Sequence, residues 1–133
     1  MNYFEIFGLT PAYQIDEAIL EKEYIRQQTE IHPDLHQDAA LKYIAQKQIL
    51  LINQAYNILK DPHLRLCYIL KLHNINPDTL KPDPTILEIV TEDNCNIAQL
   101  KDDLQSKFDR YYAEKLYQEA FAIAGNILCL RRF

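Results

Sequence analysis

His32, Asp34, His36 and Asp38 alternate along one short stretch, with Pro33 between the first two. Imidazole nitrogens and carboxylates are metal ligands and proton carriers, so such a run could gather a cation and support a small metal-dependent hydrolase. Two features oppose that use. Pro33 stiffens the segment through its fixed φ, and no distant His or Cys pair completes a ligand shell. His32 also lacks a neighbouring nucleophile or second carboxylate with which to form a catalytic set. The other chemistry open to these residues is recognition. Proline cannot continue a helix and pushes His32 out of the α region. The result is a rigid polar tip with an imidazole and a carboxylate on either side of the joint.

Two helical patterns hold that tip. The first opens at Ile15-Asp16-Glu17, where Asp16 is an N-cap and the acidic first turn suits the helix dipole. Leu20, Tyr24 and Ile31 share its inner stripe, and Gln27 occupies a place where an apolar residue would fit better. Its outer face carries Lys22 and Arg26 among Glu21, Glu23 and Glu30. The second runs from Asp38 to Lys60, with Ala45, Ile49, Ile52, Tyr56 and Leu59 at a 3.6-residue period. Together they predict an antiparallel hairpin. A short helix over 2–9 precedes it, stopped at Gly8. A fourth helix follows, capped by Asp61 with Pro62 at its first position, apolar at Leu66, Ile69, Leu70 and Leu72 and ending near His73-Asn74. Residues 76–83 hold Pro77 and Pro82 and read as a linker. Three more patterns follow: Ile86, Leu87 and Val90; Ile97, Leu100, Leu104, Phe108 and Tyr111; Tyr117, Ala120, Ala124, Ile127 and Leu128. They predict a three-helix bundle over 84–133.

Composition narrows the class. The 133 residues are 48% hydrophobic and 25% charged, which predicts a globular, all-α chain, and only Gly8 and Gly125 are glycines. Gly125 falls inside the last helix and points to a close helix approach. The net charge of −5 makes nucleic acid an unsuitable general partner. Its division is even, with 7 basic and 9 acidic side chains in 1–75 and 7 and 10 in 76–133. No apolar run has the length of a membrane span, and the first residues have no signal-peptide core. Cys67, Cys95 and Cys129 are odd in number and widely spaced, the pattern of free thiols in a reducing, cytoplasmic setting.

Three motifs in order carry a resemblance to a known family. They are Asn2-Tyr3-Phe4-Glu5-Ile6-Phe7-Gly8-Leu9, then Ile52 through Pro62 (INQAYNILKDP), then Arg65 through His73 (RLCYILKLH), with His32-Pro33-Asp34 between the first two. The chain resembles J-domain co-chaperones, and more narrowly the HscB type that serves iron–sulfur cluster assembly. The resemblance covers most of 1–75 and continues weakly beyond. It implies a J-domain over 1–75 that stimulates the ATPase of a heat-shock-seventy-class chaperone of the HscA or DnaK type. It also implies a C-terminal bundle that binds and delivers the cluster scaffold protein, IscU, with no enzyme activity or cofactor of its own. A J-domain for general folding clients is the alternative within the class.

Carried over by residue, His32, Pro33 and Asp34 with Lys22 and Arg26 become the chaperone-binding set. Ile86, Leu87, Val90 and Cys129 become the scaffold-binding set. Each has a simpler reading. Lys22 and Arg26 are also what a solvated helix face shows, and Ile86, Leu87 and Val90 are also what an amphipathic helix turns to its own core. The three cysteines read as small buried hydrophobes rather than cluster ligands. Asn53 is placed to satisfy backbone groups near the first helix. The chain departs from the family pattern at Leu35, where many J-domains have Lys, and in Glu21, Glu23 and Glu30, which dilute the basic face. It departs again at 91–96, which lacks a dense acidic run, and at Phe133, where members continue the last helix.

Overall fold

Every helix but the last begins where a short polar side chain can satisfy its first free amides. In the computed structural model, which describes residues 2–92 and 95–131, Asn2 caps α1 (Tyr3–Ile6). Asp16 caps α2 (Glu17–Glu30), accepting from the amides of Ala18 and Ile19. Asp38 caps α3 (Ala39–Leu59) in the same way. Asp61 Oδ1 accepts from His63 N at 2.9 Å at the head of α4 (Pro62–Leu72). Asp83 and Asn96 cap α5 (Pro84–Val90) and α6 (Ile97–Ala113). Among the described residues, α7 (Tyr117–Leu130) alone starts without a side-chain cap. Such caps each contribute about 1 kcal/mol. The described residues contain no strand, so the all-α expectation holds. The first helix is shorter than the sequence predicts, because Gly8 at φ +69° turns the chain left-handed.

Two compact units divide the chain: Met1–Pro11 with Ile15–Arg65, and Ala12–Gln14 with Leu66–Phe133. In the first, α3 packs against α1, α2 and the turn that follows α2. Phe4, Phe7, Leu20, Ala45, Ile52, Ala55 and Leu59 are buried. Tyr24 stacks on Tyr56 with centroids 3.9 Å apart. Gln27, out of place in an apolar stripe, donates through Nε2 to Ile6 O at 2.6 Å. It thereby satisfies a carbonyl at the end of α1, a polar function inside a buried stripe. Asn53 does something other than expected. Its Oδ1 accepts from Tyr24 Oη at 2.7 Å and from Gln28 Nε2, so its partners are side chains of α2 rather than backbone near α1. Arg65, nearly fully buried, donates from Nη1 to Leu59 O at 2.6 Å and closes the end of α3.

In the second unit α6 packs along α7. Ile86 from α5, Leu104 from α6 and Leu130 from α7 form a core, lined by Val90, Leu100, Ile123 and Ile127. Leu66, Ile69 and Leu70 of α4 are buried with this unit, while Leu72 is exposed. His73 Nε2 lies 2.9 Å from Tyr112 Oη, among the rings of Tyr117 and Phe121. Burial, and then the neighbouring Tyr117, push the Tyr112 phenol above its ordinary range. The proline-rich stretch is pinned rather than loose. A 3-10 turn, Pro77–Thr79, opens it, and Asn126, buried in α7, accepts from Asp83 N at 2.7 Å. A Cβ on Gly125 would lie 2.8 Å from Lys81 O. The close approach that Gly125 permits is thus to the backbone of this stretch, not to a helix. Tyr13 belongs to this unit too: its ring meets Phe108 edge to face. The Asp109 carboxylate accepts from Tyr13 N at 2.6 Å and Gln14 N at 3.0 Å.

Candidate functional site

The turn between α2 and α3 is built by its own first residue. His32 adopts φ −57° and ψ 133°, outside the α region as the following proline requires. Its Nδ1 accepts from Asp34 N at 3.2 Å. Leu35 N then donates to His32 O at 3.0 Å and His36 N to Pro33 O at 3.1 Å, closing a 3-10 turn over Pro33–Leu35. With Nδ1 accepting, the ring proton sits on Nε2. The His32 side chain is 56% exposed and that of Asp34 87%. Asp34 Oδ2 stands 3.5 Å from Nδ1, too far to compete for the ring. The turn therefore presents an N–H donor and a carboxylate to solvent.

The rival metal reading finds no support in this geometry. Among the described residues no three His, Cys, Asp or Glu side chains come together closely enough to hold an ion. His32, Asp34, His36 and Asp38 stay strung along the turn.

Lys22 and Arg26 are exposed on α2 as expected, but they are not equivalent. Arg26 bonds Glu23 at 2.8 Å and Glu30 at 2.7 Å. These two carboxylates raise the guanidinium further above its ordinary value. In return the Arg26 hydrogen bond holds the Glu23 carboxyl below the usual carboxylate range. Among the described residues Lys22 has no hydrogen-bonded ion pair of this kind, though its charge also lowers the Glu23 carboxyl. Between them the sequence reading missed Ile25, an isoleucine 56% exposed. A helical wheel carries the signal, since Ile25 lies on the face away from Leu20.

In the second unit the neighbours Ile86 and Leu87 part company. Ile86 is 6% exposed and lies in the core, Leu87 is 46% exposed, and Val90 packs against the core. The exposed Ile89, again missed, adds to the surface of α5. Cys67, Cys95 and Cys129 form no disulfide among the described residues and are partly exposed, so the reading of them as buried is corrected. Of the segment 91–96, Asp93 and Asn94 lie outside the described residues, as does Phe133.

The DnaJ domain family model matches residues 2–68. A co-chaperone protein HscB homolog of Shewanella woodyi is 42% identical over 78 residues, covering 57% of this chain and 45% of that protein. An iron-sulfur cluster co-chaperone protein HscB homolog of Arabidopsis thaliana is 30% identical, covering 99% of this chain and 58% of that protein. The chain thus spans about half the length of these curated relatives. Two solved structures share its fold. Chaperone HscB from Vibrio cholerae has a TM-score of 0.69 at 22% identity, covering 99% of this chain and 92% of that one. Human co-chaperone HscB has a TM-score of 0.73 at 21% identity, covering 99% and 78%. A self-capped His-Pro-Asp turn between α2 and α3, inside a matched stretch that reaches from α1 into α4, makes this chain a member of the DnaJ-domain family, similar within it to the HscB co-chaperones.

Proposed function

We propose that the protein is a co-chaperone that stimulates the ATPase of a heat-shock-seventy-class chaperone, HscA-like or DnaK-like, and delivers to it an iron–sulfur cluster scaffold of the IscU type. The carrying observation is the exposed turn His32-Pro33-Asp34, which offers a fixed donor and carboxylate with no catalytic partner beside them. ATP turnover then belongs to the chaperone. The co-chaperone names of the HscB relatives, one of them specifying iron–sulfur clusters, support this reading over general folding clients. The chaperone-binding set is His32, Pro33, Asp34, Lys22 and Arg26, in a J-domain assigned to 1–75. The scaffold-binding set is Ile86, Leu87, Val90 and Cys129, beyond the 76–83 stretch. In that set Leu87 makes the contact, and Ile86 and Val90 seat the helix that carries it. The three cysteines, which form no disulfide among the described residues, accord with a reducing, cytoplasmic setting.

His32→Gln tests the reading. The variant is expected to lose stimulation in single-turnover ATPase assays while staying folded, with a stability loss of no more than about 1 kcal/mol from the missing turn cap. Stimulation at the parental level would refute it. For the second half, Leu87→Ala is expected to weaken scaffold binding at an unchanged melting temperature. A lowered melting temperature with scaffold affinity intact would assign Leu87 to packing alone.

A further inference from the structure

The outer face of α2 is less basic than its sequence reads, and more apolar. Arg26 is drawn sideways by Glu23 and Glu30, which lie three residues before and four after it. Using it to grip a partner means breaking two charge-assisted bonds already made. Lys22 makes no such bond among the described residues, and its charge acts on Glu23 only through space. On a 3.6-residue wheel the stripe opposite Leu20 runs Ala18, Lys22, Ile25 and Thr29. It ends one residue before the close of α2 at Glu30, so it leads directly to the His32-Pro33-Asp34 turn. From Ile25 to His32 is about 10 Å along the axis. Ile25 is 56% exposed. An isolated exposed aliphatic residue is ordinary. What sets Ile25 apart is its place, between a free cation and a tied one, on the line that ends at the turn.

We infer that Ile25 is the apolar anchor of the chaperone contact, with Lys22 steering the encounter and Arg26 held in reserve by its two carboxylates. This rests on the co-chaperone reading above. The partner surface it fits has an aliphatic pocket for Ile25, a carboxylate near it for Lys22, and a cation placed for Asp34. Affinity then comes from desolvation at Ile25, while charge sets the rate of approach.

The test is a titration of chaperone ATPase stimulation with the full chain at two ionic strengths. Ile25→Ala is expected to raise the half-saturating concentration about five- to tenfold, with maximal stimulation unchanged and the shift alike at both salts. Ile25→Lys, which keeps a helix-favouring residue and puts a charge where the branched apolar end was, should bind as weakly as the alanine variant. Ile25→Leu should return the value to within about twofold of the parent. Lys22→Ala should matter at low salt and fade at high salt. Half-saturation unchanged in both Ile25→Ala and Ile25→Lys overturns the inference, whatever Lys22→Ala does. His32→Gln in the same assay separates the two levels. It should abolish maximal stimulation; if it does not, the co-chaperone reading itself falls.

Discussion

Two turns in this chain are built alike, and only one of them looks like a site. Pro33–Leu35 follows His32, and Pro77–Thr79 follows Asn76, so each is a residue-Pro-Asp turn. In each the first side chain accepts from the amide two residues on, at 3.2 Å from His32 and 2.9 Å from Asn76. Both first residues take an extended ψ, 133° and 120°. The backbone of the pair is therefore no signature of recognition. The difference lies in what caps the turn and what holds the chain after it. His32 leaves a ring N–H in solvent, while Asn76 spends its carbonyl oxygen on the turn and carries no ring. The stretch after Thr79 is fixed to α7 through Lys81 and Asp83, where the stretch after Leu35 leads to the Asp38 cap of α3.

That comparison can be broken most sharply by moving one cap into the other turn. His32→Asn should keep the turn, since asparagine makes the same bond at position 76, and should still lose ATPase stimulation. Full activity in this variant would mean that the backbone shape, not the imidazole, is what the partner reads. Next in size is Gly125→Ala. Alanine gains about 1 kcal/mol of helix propensity, but its Cβ would press on Lys81 O, and overpacking of this kind costs about 1–3 kcal/mol. A lower melting temperature is expected, and a higher one would show that the second turn's stretch is not held there. Asn76→Ala removes a cap and should cost about 1 kcal/mol in a thermal melt, leaving ATPase stimulation untouched. The smallest effect concerns the helix leading to the first turn. Glu23 is held below its ordinary value of 4.5 by Arg26, so its contribution to stability is present above that value. It disappears as pH falls through the depressed folded value. Parent and Glu23→Gln should differ slightly in melting temperature at neutral pH and converge in acid. A gap that persists in acid would mean the Arg26 pairing is not its source.

How much of this could be read from the chain depended on how far each residue reaches. Caps act within three residues, so Asp16, Asp38 and Asp61 were legible, as was the His-Pro-Asp turn. Periodicity placed Ala45, Ile52, Leu59 and Leu104 inside. It could not choose between Ile86 and Leu87, because which side of a short helix is covered depends on α6 and α7. Buried polar groups were least visible. Gln27 reads as a defect until Ile6 O is beside it, and Asn53 until Tyr24 and Gln28 are. Arg65 and Asn126 look like surface residues. Arg26 was found, but its neutralisation by Glu23 and Glu30 needed rotamers as well as spacing.

The Asp109 carboxylate bears on the order in which a ribosome releases this chain. Its bonds to Tyr13 N and Gln14 N span 96 and 95 residues. Helices α1, α2 and α3 are complete by Leu59, but Tyr13 and Gln14, in the loop between α1 and α2, have no carboxylate to receive them until α6 has emerged. At about 5–20 residues per second, the roughly 54 residues from Leu59 to the end of α6 take on the order of 3–11 s. During that interval two amides must be served by water, and the Tyr13 ring lacks the Phe108 edge it later covers. The nascent chain thus passes through a period with its first hairpin formed and its Tyr13 loop unclaimed, an opening for any chaperone that meets it at the exit tunnel.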